Sequence, residues 1–142
     1  FNIYIDQLNS VVKNLIKKGY THFISGMAEG ADIDFAKSIL YYRDFYKNIK
    51  LEGALPYPSL YLGNKTENLV ERASVFDKCD LKTVVSTHYF RGCMQKRNRY
   101  MVDNSDLVLA IWNGSETGGT WNTIKYARSK NKEILYIMLD EI

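Results

Sequence analysis

Two glycines four residues apart separate a predicted strand from a predicted helix in the stretch THFISGMAEGADIDFAKSIL. The strand ends at Ser25, Gly26 permits a sharp turn, and Gly30 permits close approach of a ligand or of neighbouring backbone. The N–H groups that begin the next helix have no partner within it, and together with the positive dipole end they favour an anion. Asp32 is placed to cap this helix, to orient a ribose hydroxyl or to order the loop. The same glycines also fit a plain β–α turn, so this stretch alone leaves both interpretations open.

A second glycine turn, WNGSETGGTWNT, follows the most hydrophobic predicted strand, DLVLAIW, and again precedes a helix. Gly118 and Gly119 free the backbone, and Thr120 and Thr123 supply hydroxyls near the helix N-terminus. Turns that follow parallel strands share one edge of the sheet, so we expect the two turns to form a phosphate cradle. Neither turn has the Walker A pattern or the dinucleotide G-x-G-x-x-G spacing.

A basic segment, YFRGCMQKRNRYMVDNSD, lies just before the same hydrophobic strand. We expect Arg97 and Asn98 to contact a phosphate or a loop carbonyl, because their helix leads towards the second glycine turn. Lys96 fits a solvated helix face better.

Other chemistry has weaker support in the residues. The two histidines, His22 and His88, have no partner at metal-ligand spacing, so no metal site is predicted. Cys93 has no histidine arranged to activate it, and we assign no catalytic residue. Trp121 follows the second glycine turn and is a candidate to stack on a base.

Strands alternate with helices along the whole sequence, and the strands read as continuous apolar runs. This pattern predicts one domain over residues 1–142, with a Rossmann-like, doubly wound, mainly parallel sheet in a three-layer α/β/α sandwich. The sequence starts on a predicted helix. We therefore expect that a first strand precedes it and is missing from this chain.

The composition fits a cytoplasmic globular domain. The 142 residues are 46% hydrophobic and 25% charged, and no apolar run is long enough to span a bilayer. Two cysteines are too few for a disulfide framework. The net charge of +3 gives little support to nucleic-acid binding.

Together, these segments resemble the YpsA-like family of the SLOG superfamily. The resemblance rests on GYTHFISGMAEGADIDFAKSIL, LEGALPY, RGCMQKRNRYMVDNSDLVLAIWNGS and GGTWNTIKYARSKNKEILYI, in that order, over nearly the whole chain. The DprA/Smf proteins, which bind single-stranded DNA, carry a similar first glycine turn and a similar Arg-Asn-Arg stretch. The cytokinin-activating LONELY GUY enzymes carry a related second glycine turn.

The resemblance implies a Rossmann-like domain that binds a nucleotide or nucleotide-derived ligand. By that similarity, Gly26, Gly30 and Asp32 match the first loop of the family, and Arg97 with Asn98 matches the middle motif. The second loop is matched by Gly118, Gly119 and Thr120.

Two departures from the related patterns bear on activity. The Thr-Gly-His-Arg-like turn that usually follows the first strand of YpsA-like proteins is absent. The glutamate that follows the Gly-Thr pair in LONELY GUY enzymes is also absent, since Asn122 stands nearby and cannot act as a general base.

We therefore expect a cytoplasmic binding or sensor domain for a nucleotide or an ADP-ribose-type ligand. The alternatives are a nucleotide-processing, phosphoribohydrolase-like enzyme, which the missing glutamate disfavours, and a DprA-like module for single-stranded DNA, which the modest charge disfavours. No membrane partner is expected. The aromatic run ILYYRDFY is a candidate surface for homo-oligomers, although it also fits packing within the monomer.

Overall fold

Helices and parallel strands alternate in the computed structural model, which describes residues 3–59 and 68–139. The helices are α1 (Ile3–Lys17), α2 (Ala31–Arg43), α3 (Leu69–Asp77), α4 (Cys93–Asp103) and α5 (Gly118–Ser129). The strands are β1 (His22–Ser25), β2 (Lys50–Leu55), β3 (Leu81–Val84), β4 (Leu107–Trp112) and β5 (Glu133–Met138). This pattern confirms the prediction of a mainly parallel, Rossmann-like α/β fold.

The chain forms two compact units, Phe1–Tyr89 and Phe90–Ile142, called here the first and second unit. In the first unit, β2 lies between β1 and β3, and both pairings are parallel. Ser25 at the end of β1 is in register with Gly53 of β2. The turn after β1 therefore leaves from the carboxyl edge of this sheet, which is where parallel α/β sheets place their ligands.

The core of the first unit comes from helix faces with the expected period. On α1, Leu8, Val12, Leu15 and Ile16 are buried, and they recur at the three- and four-residue spacing of one helix face. Burying an aliphatic side chain of this size stabilises a fold by about 1.5–3 kcal/mol. Helix α1 packs against α2, the helix that follows the first glycine turn.

The second unit pairs β4 with β5 in parallel over the full length of both strands, from Leu107 opposite Glu133 to Trp112 opposite Met138. Helix α5 buries Ile124 and Ala127 completely, and α4 buries Val102. The second glycine turn lies between the end of β4 and the start of α5. It therefore also leaves from the carboxyl end of a parallel strand.

The sequence predicts a helix over TWNTIKYARSK that begins at Thr120, whereas α5 begins two residues earlier, at Gly118. Gly118 and Gly119 were expected in the loop, whereas they form the first two residues of the helix. Thr117 has extended backbone and acts as the N-cap, and Gly118 then adopts a φ of 87°, which a residue with a side chain rarely takes. Because this conformation turns the chain directly into the helix, the glycines belong to its first turn. The sequence also predicts a linker and a helix over residues 60–76, and residues 60–67 of this range lie outside the described residues.

The aromatic run on α2 is partly exposed. Tyr41 and Phe45 are exposed to solvent, and their rings contact each other with centroids 5.4 Å apart. Their role in oligomer formation stays a prediction.

Over the described residues, none of the helices combines the length and apolar character needed to cross a membrane.

Asp80 links three segments of the first unit. Its Oδ2 atom accepts a hydrogen bond from the Leu51 N–H at 2.9 Å and another from Arg43 Nη1 at 2.7 Å. Arg43 Nη1 also donates to the Lys78 carbonyl at 2.9 Å. Burial raises the pKa of Asp80, but the Leu51 and Arg43 hydrogen bonds outweigh it and hold the pKa below its ordinary value.

We predict that Asp80→Asn lowers the free energy of unfolding by about 1 kcal/mol at pH 7, because it removes the ion pair with Arg43, which water partly screens. The folded pKa is depressed, so this contribution is present above the unfolded pKa and is lost as the pH falls through the folded value. The difference from the wild type should therefore shrink below about pH 4. Urea titrations from pH 3 to 7 measure it, with Asp44→Asn, an exposed acid at the end of α2, as the charge-matched control. An undiminished difference at pH 3 would show that Asp80 acts by packing.

Candidate functional site

The first glycine turn is held by its own side chains. Ser25 is buried, its hydroxyl donates to the Asp32 carbonyl at 2.8 Å, and it accepts the Met27 N–H at 3.2 Å. The Asp32 carboxylate accepts the Ala28 N–H at 3.2 Å, so it orders the loop, one of the three roles expected for it. Gly30 is the N-cap of α2 with a φ of 92° and provides no side-chain cap. The turn is thus closed by internal hydrogen bonds.

Backbone strain in this turn is concentrated at Met27. Its φ is 63°, in the left-handed region, and its side chain is fully buried. This conformation costs a residue with a side chain about 1–2 kcal/mol. The hydrogen bond to Ser25 and the buried side chain offset that cost, so the turn is held in this conformation by its own contacts.

Carboxylates surround the start of α2. Asp32 and Asp34 lie in its first turn, and Glu29 accepts a hydrogen bond from Asn68 Nδ2 at 2.9 Å. Burial and then the nearby Asp34 and Asp32 carboxylates raise the pKa of Tyr4 well above its usual value. The hydroxyl of Tyr4 is buried, and its interaction with the Asp34 carboxylate adds to the rise in its pKa. Since acidic side chains already complement the dipole of α2, this turn suits a group that donates hydrogen bonds better than a phosphate.

The second glycine turn has the opposite character. The first turn of α5 contains no acidic residue, and its N-cap, Thr117, makes no side-chain cap hydrogen bond. The Thr117 hydroxyl is instead bonded to the Ser115 hydroxyl at 2.8 Å. A Cβ atom at Gly118 or Gly119 would meet nothing within 4 Å, and Thr120 is exposed. Among the described residues, this helix N-terminus is therefore open at its glycines, and its first turn contains no acid.

The middle motif divides into a buried and a partly exposed residue. Arg97 is buried, and its Nε donates to Asn98 Oδ1 at 2.9 Å. Asn98 lines a pocket of about 320 Å³ between α4 and α5, called here the α4–α5 pocket. Thr123 lines the same pocket, and its hydroxyl donates to the Gly119 carbonyl at 3.0 Å. The structure thus brings Asn98 and Thr123 together, while Arg97 is engaged inside the unit.

The expected ligand residues lie in both units. Ser25, Gly26, Gly30 and Asp32 belong to the first unit. Arg97, Asn98, Gly118, Gly119, Thr120 and Thr123 belong to the second. Their contacts with a ligand stay a prediction.

Sequence reasoning missed several polar residues close to these positions. Tyr4 lies near the aspartates that begin α2, and Lys125 and Tyr126 line the α4–α5 pocket. The sequence feature that could have identified them is their spacing, because polar residues three and four apart share one helix face. This spacing does not show which two helix faces meet in the fold.

Trp121 has a partner within its own unit. Its ring stacks on Trp112, with centroids 5.6 Å apart and planes 7° from parallel. The Arg128 guanidinium lies 5.4 Å from the Trp121 ring centroid and the Lys125 ammonium 5.8 Å. The ring expected to stack on a base is therefore already packed against an indole and two cations.

In residues 3–59 and 68–139, no group of three or more His, Cys, Asp or Glu side chains is arranged to hold a metal ion.

Comparison with known proteins assigns the chain to a family. The YpsA family model, described as the YspA SLOG family, matches residues 2–142. The chain belongs to the YspA SLOG family. This membership confirms the resemblance drawn from the two glycine turns and the Arg-Asn-Arg segment.

A curated relative of this YspA SLOG family chain comes from Bacillus subtilis (strain 168). It is named an uncharacterized SPbeta prophage-derived protein, YoqJ, and is 27% identical over 140 residues, which cover 87% of the chain and 79% of the relative. A solved structure from Syntrophus aciditrophicus SB, named "putative molybdenum carrier protein", aligns with a TM-score of 0.55 and 24% identity. The alignment covers 84% of the chain but only 63% of that protein, and it supports the α/β fold alone.

We predict that Ser25→Ala lowers the free energy of unfolding by about 1–3 kcal/mol, because it leaves the buried Asp32 carbonyl and Met27 N–H without their shared partner. Urea unfolding measures the change. Ser10→Ala, an exposed helical serine, is the matched control and should be neutral or slightly stabilising. Equal effects of the two substitutions would mean that Ser25 does not hold the turn.

Proposed function

We propose that this protein is a binding domain for a phosphate-bearing, nucleotide-like small molecule, whose phosphate lies at the first turn of α5. The observation that carries the proposal is the open N-terminus of α5. Its N-cap residue, Thr117, makes no capping hydrogen bond, no atom lies close to the Cβ positions of Gly118 and Gly119, and the first turn contains no acid. Backbone N–H groups at such an N-terminus bind oxyanions, and the helix dipole adds to the attraction.

The two glycine turns support different roles. At α2 the first-turn carboxylates of Asp32 and Asp34 would repel a phosphate, whereas α5 offers a site free of that repulsion. Glu116 directly precedes the N-cap of α5 in the sequence. Its side chain is exposed, so water screens its effect on a bound anion.

The glycines also explain why a large anion can approach. The space beside both Cβ positions is empty, so a tetrahedral oxyanion meets no side chain there. The Thr120 hydroxyl, on an exposed residue of the same turn, can donate to one of the oxygens. The name of the structural neighbour mentions molybdenum, and molybdate is a tetrahedral dianion like phosphate. Molybdate is therefore a useful second probe of the same turn.

We predict that AMP binds at least about tenfold more tightly than adenosine, since the phosphate provides the interaction with α5. Gly119→Asp should weaken AMP binding about tenfold, because it places a carboxylate in the first turn, while Gly119→Asn should change it less than about threefold. Glu116→Gln should strengthen binding. Isothermal titration calorimetry with AMP, adenosine, ADP-ribose and molybdate measures these affinities.

Thermal melting of each variant checks that the fold is intact, and Gly119→Asp should melt no lower than Gly119→Asn, because an acid suits a helix N-terminus. Equal weakening by Asp and Asn would indicate a steric effect and would contradict an electrostatic phosphate site. Equal affinity for AMP and adenosine would contradict the proposal altogether.

A further inference from the structure

The α4–α5 pocket lies wholly in the second unit and is separate from the first turn of α5. Its lining includes polar side chains from both helices: Gln95, Asn98 and Arg99 of α4, and Asn122, Lys125 and Tyr126 of α5. The residues of the first turn of α5, Gly118, Gly119 and Thr120, do not line it. Its volume of about 320 Å³ lies at the lower end of the range of small-molecule sites. We propose that this pocket is a second anion site, which binds the phosphate group of a small phosphorylated molecule.

The charge of the lining favours an anion. Arg99 and Lys125 contribute two cations, and the lining contains no Asp or Glu. The carboxamides of Gln95, Asn98 and Asn122 are neutral and can donate hydrogen bonds. A ligand with several acceptor oxygens therefore finds donors on both helices.

The key arginine is oriented before a ligand binds. The guanidinium carbon of Arg99 lies 5.0 Å from the centroid of the Tyr126 ring, within the range of a cation–π contact. The Tyr126 hydroxyl in turn donates to Asp103 Oδ1 at 2.7 Å, which fixes the ring. A planar guanidinium held in this way loses less rotational freedom when it binds an oxyanion.

Several of the other polar groups in the lining already have hydrogen-bond partners. The groups that remain to contact a ligand are therefore mainly hydrogen-bond donors. The Thr123 hydroxyl donates to the Gly119 carbonyl, and the Ser129 hydroxyl donates to the Tyr126 carbonyl at 2.6 Å. Asn98 Oδ1 accepts from Arg97 Nε, so its amide nitrogen is the atom that can donate to a ligand. With Arg99 and Lys125, this makes the pocket a set of hydrogen-bond donors, which matches phosphate oxygens.

The test follows the side-chain NH₂ resonances of Gln95, Asn98 and Asn122 in ¹H–¹⁵N spectra during titration with inorganic phosphate at constant ionic strength. AMP and glucose 6-phosphate are titrated separately, to distinguish a nucleotide from a sugar phosphate as the source of the group. We expect saturable shifts in wild type. Arg99→Gln and Lys125→Gln should each weaken the fitted affinity about tenfold.

Two further variants make the result specific. Arg99→Lys keeps the charge but loses the planar fork, so it should weaken binding by an intermediate factor. Lys96→Gln removes an exposed cation from the same helix outside the lining, and it should change the affinity less than about twofold. Equal weakening by Lys96→Gln and Arg99→Gln would show only general attraction to a basic surface and would overturn the proposal. Unchanged binding in a folded Arg99→Gln would also overturn it.

Gly119→Asp separates this inference from the proposed function. If the two sites are distinct, this variant should leave the pocket resonances and their affinity for phosphate nearly unchanged. Loss of the pocket response in Gly119→Asp but not in Arg99→Gln would overturn the second site and leave the α5 turn as the phosphate site. Loss in Arg99→Gln alone, with AMP binding unaffected by Gly119→Asp, would support the pocket and contradict the proposed function.

Discussion

The first N–H groups of a helix have no acceptor within the helix, and the two glycine turns of this protein meet that constraint in opposite ways. At α2, two aspartates in the first turn complement the dipole, and Ser25 and Asp32 close the preceding loop. At α5, Thr117 bonds to Ser115 instead of capping the helix, and the first turn has no acid. Two turns that look alike in sequence therefore have different electrostatics.

This difference bears on function because an anion site needs an unfilled positive end as well as room for the ligand. The first turn is rigid, internally bonded and surrounded by carboxylates, so it suits a structural role or a ligand that donates hydrogen bonds. The second has space and no acid in its first turn, and the cations of Arg99 and Lys125 lie farther along the same unit. Membership of the YspA SLOG family defines the fold in which these turns occur but does not name a ligand.

The order of helices and strands was predictable because apolar residues recur with the period of each element, and the first glycine turn marks the start of α2. The start of α5 was not predictable from the sequence, because only the backbone shows that Gly118 adopts a φ of 87° and leads into the helix. The burial of Arg97 and the stacking of Trp121 on Trp112 also escaped prediction. Both depend on which side chains meet across elements, and a single sequence does not encode that directly. The contact of Arg99 with Tyr126, which joins α4 and α5, was not predicted for the same reason.

Anomalous diffraction from a crystal soaked in sodium tungstate, a tetrahedral dianion that is easy to locate, would show directly which helix N-terminus binds an anion. We expect a tungstate within hydrogen-bond distance of the backbone N–H groups of Gly118, Gly119 or Thr120, and none at the first turn of α2. A tungstate beside Gly30 and Asp32, with an empty turn at Gly118, would show that α2 and not α5 binds the anion.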